Sequence, residues 1–300
     1  MSVPSYPEFA PVDIDLKDSL HPRLSLTADG VSEFTFSGLY LFRQRYQYRV
    51  SRGPDGGFII SGQQPALTSP GKNFFMTPCG APDRDTLESL FESHDYWKNI
   101  SSSVLSSSAD QLQRWGIAVN EDRDNFDYLY FRSDLAELTG KKYHKKKNLV
   151  NQFVNAYTHQ GQPLTAELIP RAMEILEQWK QDKGGEGDYQ AAREALELFE
   201  LLKLKGAIYF ADGKPAAYCL GESIAKGKMF AIHFEKAVDA YKGIYQFMNQ
   251  AFAASLPRFF TYINREQDLG DEGLRQAKMT YRPAGFVQKY FATLEKGMAA

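Results

Sequence analysis

Hydrophobic and polar positions follow two regimes along the 300 residues. Up to about residue 123, short runs rich in aromatic and β-branched side chains, at 33–42, 47–52 and 57–62, are broken by Gly, Pro and Asp. Runs of that length and make-up predict strands joined by turns, a meander. A further strand at 73–78 leads into Cys79-Gly80-Ala81-Pro82 and then a helix in which Asp85 and Glu88 have capping-box spacing. The six serines between 101 and 108 suit a loop and a weak strand equally.

From Asp124 the periodicity sharpens. A strand at 126–131 precedes a long helix opened by Ser133 or Asp134, with Glu137 in its first turn, that extends toward Tyr157. Two more helices, about 168–180 and 189–202, are separated by Gly184-Gly185-Glu186-Gly187, which no helix interior tolerates. Strands at 206–211 and 214–221 flank Asp212-Gly213, a favoured two-residue hairpin turn. In a third strand, 228–235, alternation puts Phe230, Ile232 and Phe234 on one face and Met229, Ala231, His233 and Glu235 on the other. The following helix carries Ile244, Phe247, Met248, Ala251 and Phe252 at i, i+3, i+4, i+7 and i+8, so one stripe is buried against the sheet. A strand at 259–265, a short helix at 271–278 and a last strand at 285–294 finish the half. The order β-α-α-(α)-β-β-β-α-β-α-β predicts an α+β fold built on a mixed sheet.

Composition narrows the class. Hydrophobic residues at 43% and charges at 24% describe a packed chain rather than a disordered one. A formal charge of −2 creates no global field toward nucleic acid or an anionic membrane, so any such binding has to be local. The charge is unevenly spread, 11 basic against 15 acidic residues through position 123 and 24 against 22 beyond it. Cys79 and Cys219 stand far apart without metal-ligand spacing, which supports neither a disulfide framework nor a zinc site. No apolar run approaches the about 18 residues of a membrane span, and no basic segment followed by an apolar one opens the chain. A cytoplasmic location is therefore expected.

Four segments carry a resemblance: DRDNFDYLYFRSDLAELTGKKYHKKKN, FAIHFEKAVDAYKGIYQFMNQAFA, FFTYINREQDLGDEGLRQAKMTYRP and FVQKYF. They resemble the uncharacterised bacterial family grouped with the C-terminal domain of phosphatidylglycerol lysyltransferases, distant relatives of the Fem-type peptidoglycan-bridge aminoacyltransferases. The resemblance implies an α+β protein of two tandem GNAT-like (acyl-CoA N-acyltransferase) units, each a mixed sheet flanked by helices, at 1–123 and 124–300. It further implies an acyltransferase moving an aminoacyl group from aminoacyl-tRNA to an amine or hydroxyl, such as a lipid headgroup or a peptide. Acyl-CoA-dependent N-acylation and a non-catalytic binding protein on the same fold are the alternatives. Either donor, aminoacyl-tRNA or acyl-CoA, would be a substrate, and no certain cofactor is implied.

The candidate chemistry falls into two groups. Lys141, Lys142, Lys145, Lys146 and Lys147, with His144 among them, spread around most of a helix circumference. Such a run is either a solvated face or a local site for a phosphate, a tRNA or an anionic lipid. Lys242 and Gly243 lie between a strand and a helix start, where free N–H groups favour phosphate and where a plain helix cap is the alternative. His233 and Glu235 share a predicted strand face and are candidates for acid and base, beside a structural reading of the histidine. Asn264 projects from the neighbouring strand. By resemblance, Lys278 and Tyr281 lie near the donor.

Other patterns are set aside. The acidic run Glu266, Asp268, Asp271 and Glu272 lacks the order of a calcium loop, and no metal is expected. Gly221-Glu222-Ser223-Ile224-Ala225 falls short of a nucleophile elbow, and neither a Walker motif nor a dinucleotide fingerprint occurs.

Overall fold

A computed structural model describes residues 2–65 and 71–295. In chain order the first stretch holds β1 (Ala10–Pro11), α1 (Lys17–Leu24), α2 (Phe36–Leu41), α3 (Arg43–Tyr46), β2 (Arg49–Arg52), β3 (Phe58–Gln63), β4 (Asn73–Met76), α4 (Arg84–Ser93), β5 (Tyr96–Ser101), α5 (Ser102–Arg114) and β6 (Ile117–Glu121). There follow β7 (Asp127–Phe131), α6 (Arg132–Glu137), α7 (His144–Ala156), β8 (His159–Pro163), α8 (Ile169–Lys183) and α9 (Tyr189–Glu197). The remainder is β9 (Lys205–Ala211), β10 (Lys214–Ile224), β11 (Met229–Ala237), α10 (Ile244–Ser255), β12 (Tyr262–Asn264), α11 (Glu272–Met279), β13 (Gly285–Val287) and β14 (Lys289–Leu294).

The chain divides into two compact units. The first is Met1–Asp127 with Gln267–Gly270 and Val287–Ala300, and its sheet runs β1-β2-β3-β4-β5-β14-β6. Its pairings are antiparallel except β4/β5, which are parallel and joined through α4. The second is Tyr128–Glu266 with Asp271–Phe286, and its sheet runs β13-β7-β12-β11-β10-β9-β8. There β11/β12 are a parallel pair, joined through α10, and β8 to β11 pair antiparallel in chain order, with α8 and α9 between β8 and β9. Both units thus share one plan, and the fold is α+β with two GNAT-like mixed sheets.

Several elements differ from the sequence reading. The run at 33–42 contains α2 rather than a strand, because Thr35 caps it, its Oγ1 accepting the Gly38 amide at 2.9 Å, and Phe36 stacks on Tyr40 one turn away. The serine-rich stretch is helical, α5, capped by Ser101. The long helix expected to reach Tyr157 is two helices, because Leu138 and Gly140 adopt φ of 47° and 81° and end α6 before α7 begins. The final strand is also two: β13 lies at the edge of the second sheet, whereas β14 enters the first sheet between β5 and β6. Alternation identifies a strand but not the sheet it joins.

The first unit packs Phe75 on Trp97, ring centroids 5.9 Å apart, with Leu87, Leu90 and Leu112 beneath. Its interior also holds charge. Lys289 on β14, fully buried, reaches Asp127 at 2.7 Å and Glu33 at 2.5 Å, and Asp127 also accepts the Ser32 hydroxyl and amide. Burial opposes the Lys289 charge, but the two carboxylates hold its affinity for the proton above the ordinary range. In the second unit, Ile244, Met248 and Phe252 of α10 pack on Phe230, Ile232 and Ile263 of the sheet, as the helical stripe predicts.

Candidate functional site

The site arises where the parallel pair of the second unit parts. Strand β12 pairs with β11 only through Met229, Phe230 and Ala231, and β11 then continues to Ala237 with no β12 residue opposite. A register shift against β10 pairs Leu220 with Phe234 and Gly221 with Ile232, leaving His233 as the extra residue of a β-bulge. The even alternation expected for 228–235 is therefore broken. Glu235 faces α10, where Asn249 donates to its Oε1 at 2.8 Å, and Lys236 faces α8, its Nζ 3.6 Å from the Trp179 ring centroid.

Glu235 forms an ion pair with Arg265, the first residue past β12, at 2.5 Å between Oε2 and Nη2. The two side chains are 18% and 12% exposed, so the pair is largely dry. Burial alone would loosen the guanidinium proton, but the adjacent Glu235 outweighs it and holds that proton above the usual range. Two buried Arg265 donors, Nε and Nη1, have no partner among the described residues. The guanidinium lies 5.0 Å from the Tyr281 ring centroid and 5.8 Å from that of Tyr130.

Lys146 completes the arrangement. Its Nζ lies 4.1 Å from the Tyr281 ring centroid, and burial, followed by the nearby Arg265 charge, lowers its affinity for the proton. No carboxylate lies within ion-pair reach of it among the described residues. Burial pushes the Tyr281 hydroxyl up to about 12, with Arg265 pulling the other way. Two cations thus lie over one aromatic ring and only Arg265 of the two is paired with a carboxylate, leaving an excess of positive charge suited to an anion or a developing oxyanion.

The remaining expected residues take supporting places. Lys278, buried, donates from Nζ to the backbone carbonyls of Arg265 at 2.6 Å and Glu266 at 3.0 Å, fixing the turn that presents Arg265. The Asn264 side chain accepts the Glu266 amide at 2.7 Å and shapes the same turn from a fully buried position. His233 sits between Glu266, 2.6 Å from Nδ1, and Glu222, 3.0 Å from Nε2. Burial disfavours its charge, yet these two carboxylates raise its pKa to about 10, so it is an imidazolium at neutral pH and has no free nitrogen to act as a base.

Of the lysine run, Lys141, Lys142, Lys145 and Lys147 are exposed, as is His144, and Lys142 is paired with Asp134 at 2.7 Å. Lys146 alone of the run turns toward Tyr281. Lys242 is exposed. Gly243, at φ 88°, lies against α7, and a Cβ there would come within 2.2 Å of the Leu149 carbonyl oxygen. It makes room for a packed helix rather than opening the α10 N-terminus to phosphate. Sequence reasoning missed Arg265, Tyr130, Asn249 and Glu222. The available signals were a polar Asn249 beside the apolar stripe of α10 and a carboxylate, Glu222, directly after the mostly apolar run 215–221 of β10.

Both cysteines are free, Cys79 exposed and Cys219 buried. Among the described residues there is no cluster able to hold a metal ion and no helix long and apolar enough to cross a membrane.

A family model described as "Phosphatidylglycerol lysyltransferase, C-terminal" matches residues 24–293. A crystal structure of a conserved protein of unknown function from Bacteroides thetaiotaomicron is similar, with 30% identity, 96% of this chain and 99% of that one covered, and a TM-score of 0.83. The C-terminal domain of a putative lysylphosphatidylglycerol synthetase from Agrobacterium fabrum shares the fold at 14% identity and a TM-score of 0.64, covering 95% and 93% of the two chains. An uncharacterised protein from Mycoplasmoides gallisepticum is 24% identical over 182 residues, which span 57% of this chain and only 56% of that relative.

Proposed function

Because this chain belongs to the phosphatidylglycerol lysyltransferase C-terminal family, we propose that it is an aminoacyltransferase whose donor is aminoacyl-tRNA and whose acceptor is an amine or hydroxyl. The observation that carries the reading is the Lys146–Tyr281–Arg265 arrangement beside Glu235 at the parting of β11 and β12. An acceptor lone pair adds to the ester carbonyl carbon of the donor. The carbonyl oxygen takes up negative charge, which Arg265 and Lys146 stabilise. The bond to the ribose oxygen then breaks, and the acceptor proton ends on that oxygen. Alignment and oxyanion stabilisation supply most of such an acceleration, and no covalent nucleophile is required.

In this reading Glu235 and Asn249 hold Arg265 in place, while Lys278 and Asn264 set the turn that carries it. Acyl-CoA as donor is less well supported, since the α10 N-terminus is packed against α7 at Gly243. The test is a melting-temperature screen with aminoacyl-tRNA, CoA thioesters and anionic lipid headgroups. Aminoacyl-tRNA is expected to raise the melting temperature of the native protein and not that of Arg265→Gln. A saturable rise with CoA thioesters alone would overturn the choice of donor.

A further inference from the structure

The first unit holds an open groove of about 980 Å³ along β2, β3 and the end of α4, bordered by residues 6–9. Ser61 of β3 and Arg49 of β2 are direct cross-strand partners, so both side chains stand on one face of the sheet, and both line the groove. His94, the residue that ends α4, lies on that same face. Its ring is 5.6 Å from that of Phe75, the cross-strand partner of Ser61 on β4. There Nε2 of His94 comes within 2.8 Å of Ser61 Oγ.

The other contacts of His94 settle which nitrogen carries the proton. Nδ1 lies 2.9 Å from the Leu90 carbonyl oxygen, which only accepts, so Nδ1 is protonated. The Ser93 hydroxyl, 3.0 Å from Nδ1, donates to that same carbonyl and leaves its oxygen as an acceptor. Nε2 is left with a lone pair directed at Ser61, whose hydroxyl donates to it. Burial lowers the affinity of His94 for a proton, outweighing the Leu90 hydrogen bond and the Asp95 charge, so the ring is uncharged at neutral pH. A serine hydroxyl bonded to a neutral imidazole that is oriented through its other nitrogen is an activated nucleophile. Arg49 adds a cation on the same wall, anchored by Nη2 on the Phe9 carbonyl at 2.5 Å.

We infer that Ser61 and His94 form a second catalytic centre, within the first unit, that hydrolyses esters through an acyl-serine intermediate. Ser61 Oγ adds to the ester carbonyl carbon as its proton passes to His94 Nε2, and the carbonyl oxygen takes up negative charge beside Arg49. The bond to the leaving alcohol breaks, the proton on Nε2 goes to the departing oxygen, and Ser61 is left acylated. A water then gives a proton to Nε2 and adds to the acyl carbon. The bond to Oγ breaks, Oγ takes that proton back, and a carboxylic acid leaves. Glu8 and Glu92 line the groove and disfavour an anionic substrate, while Tyr6 and Phe9 offer apolar contact. The substrate class is therefore an uncharged or cationic ester. The inference does not rest on the transfer reaction, because hydrolysis is read with no aminoacyl-tRNA present.

The experiment treats the full chain with a fluorophosphonate, which phosphonylates base-activated serines with release of fluoride, and separately follows hydrolysis of p-nitrophenyl acetate. Mass spectrometry of the digested protein is expected to find the adduct on Ser61. Ser61→Ala and His94→Gln should each slow hydrolysis by about 10²-fold. Ser61→Ala should do so at an unchanged melting temperature, since it removes only a half-buried hydroxyl. Arg49→Gln should lower kcat more than it raises KM, as loss of a group that meets the developing oxyanion does. In the native protein the rate should rise with pH and level off below about 6.5, the signature of a base with a lowered pKa. A histidine that merely ends α4 would give no such profile, and the profile serves in place of His94→Gln should that variant fold poorly. Labelling confined to residues other than Ser61, or hydrolysis that Ser61→Ala leaves at the native rate, would overturn the proposal.

Discussion

Glu235 near the end of β11 and Arg265 just past the end of β12 are joined by an ion pair of 2.5 Å across the point where the two strands part. This contact links strand geometry to chemistry. A bulge at His233 turns Glu235 toward α10, and a turn shaped by Asn264 and Lys278 brings Arg265 to meet it. Most of the Arg265 donor capacity is left unspent, beside an aromatic ring that also carries Lys146.

Replacing Arg265 therefore separates the site from its scaffold. Arg265→Gln is expected to lower the rate constant for transfer by about 10²- to 10³-fold, measured under single-turnover conditions. Arg265→Lys should not restore it, because a point charge cannot reproduce the guanidinium fork.

Lys146 is expected to stand apart from its neighbours. Lys146→Ala should raise the KM for the donor about tenfold, with a smaller change in kcat, as loss of a cation beside a bound anion does. Lys145→Ala and Lys147→Ala, both at exposed positions, should each remain within about twofold of the native protein, as exposed charges do. Steady-state kinetics on the three variants distinguishes one oriented lysine from a diffuse basic field.

The imidazolium of His233 gives stability a defined pH dependence. Its folded pKa, about 10, lies above the ordinary histidine value of about 6.5, so its stabilising contribution is complete below about 6.5 and is lost as pH rises through about 10. The melting temperature of the native protein should fall across that window more than that of His233→Gln. Transfer activity should show no inflection near neutrality attributable to this residue.

The first unit offers a test of a buried charge. Lys289→Met removes the buried cation that Asp127 and Glu33 share and is expected to destabilise the fold by about 3–5 kcal/mol in urea titration. Adding Asp127→Asn to that variant should recover part of the loss, since one of the two buried negative charges that Lys289 balanced is then removed.

Much of the architecture is legible in the sequence because it rests on local periodicity. The stripe of Ile244, Met248 and Phe252 and the Asp212-Gly213 turn both reflect short-range patterns, and both are present in the structure. What is not legible depends on distant partners. Alternation cannot reveal the bulge at His233, because the offset belongs to the pairing of β10 with β11. Nor can it assign β14 to the first sheet, where its neighbours β5 and β6 lie well over a hundred residues earlier in the chain. Within the site, Glu235, Tyr281 and Lys146 are legible as residue types but not as neighbours, and Arg265 looks like an ordinary strand end until its guanidinium is seen beside Tyr281. The lysine run is dense in sequence, yet only Lys146 turns inward, because helix geometry fans the others into solvent.

The most direct test of the transfer account follows label from a mixed pool of aminoacyl-tRNAs charged with radiolabelled amino acids, in the presence of lipid and amine acceptors. The account predicts label appearing in an acceptor, loss of that signal on prior treatment with RNase, and near-complete loss with Arg265→Gln. Transfer that resists RNase and draws instead on an acyl-CoA, or an RNase-sensitive transfer that Arg265→Gln leaves intact, would contradict it.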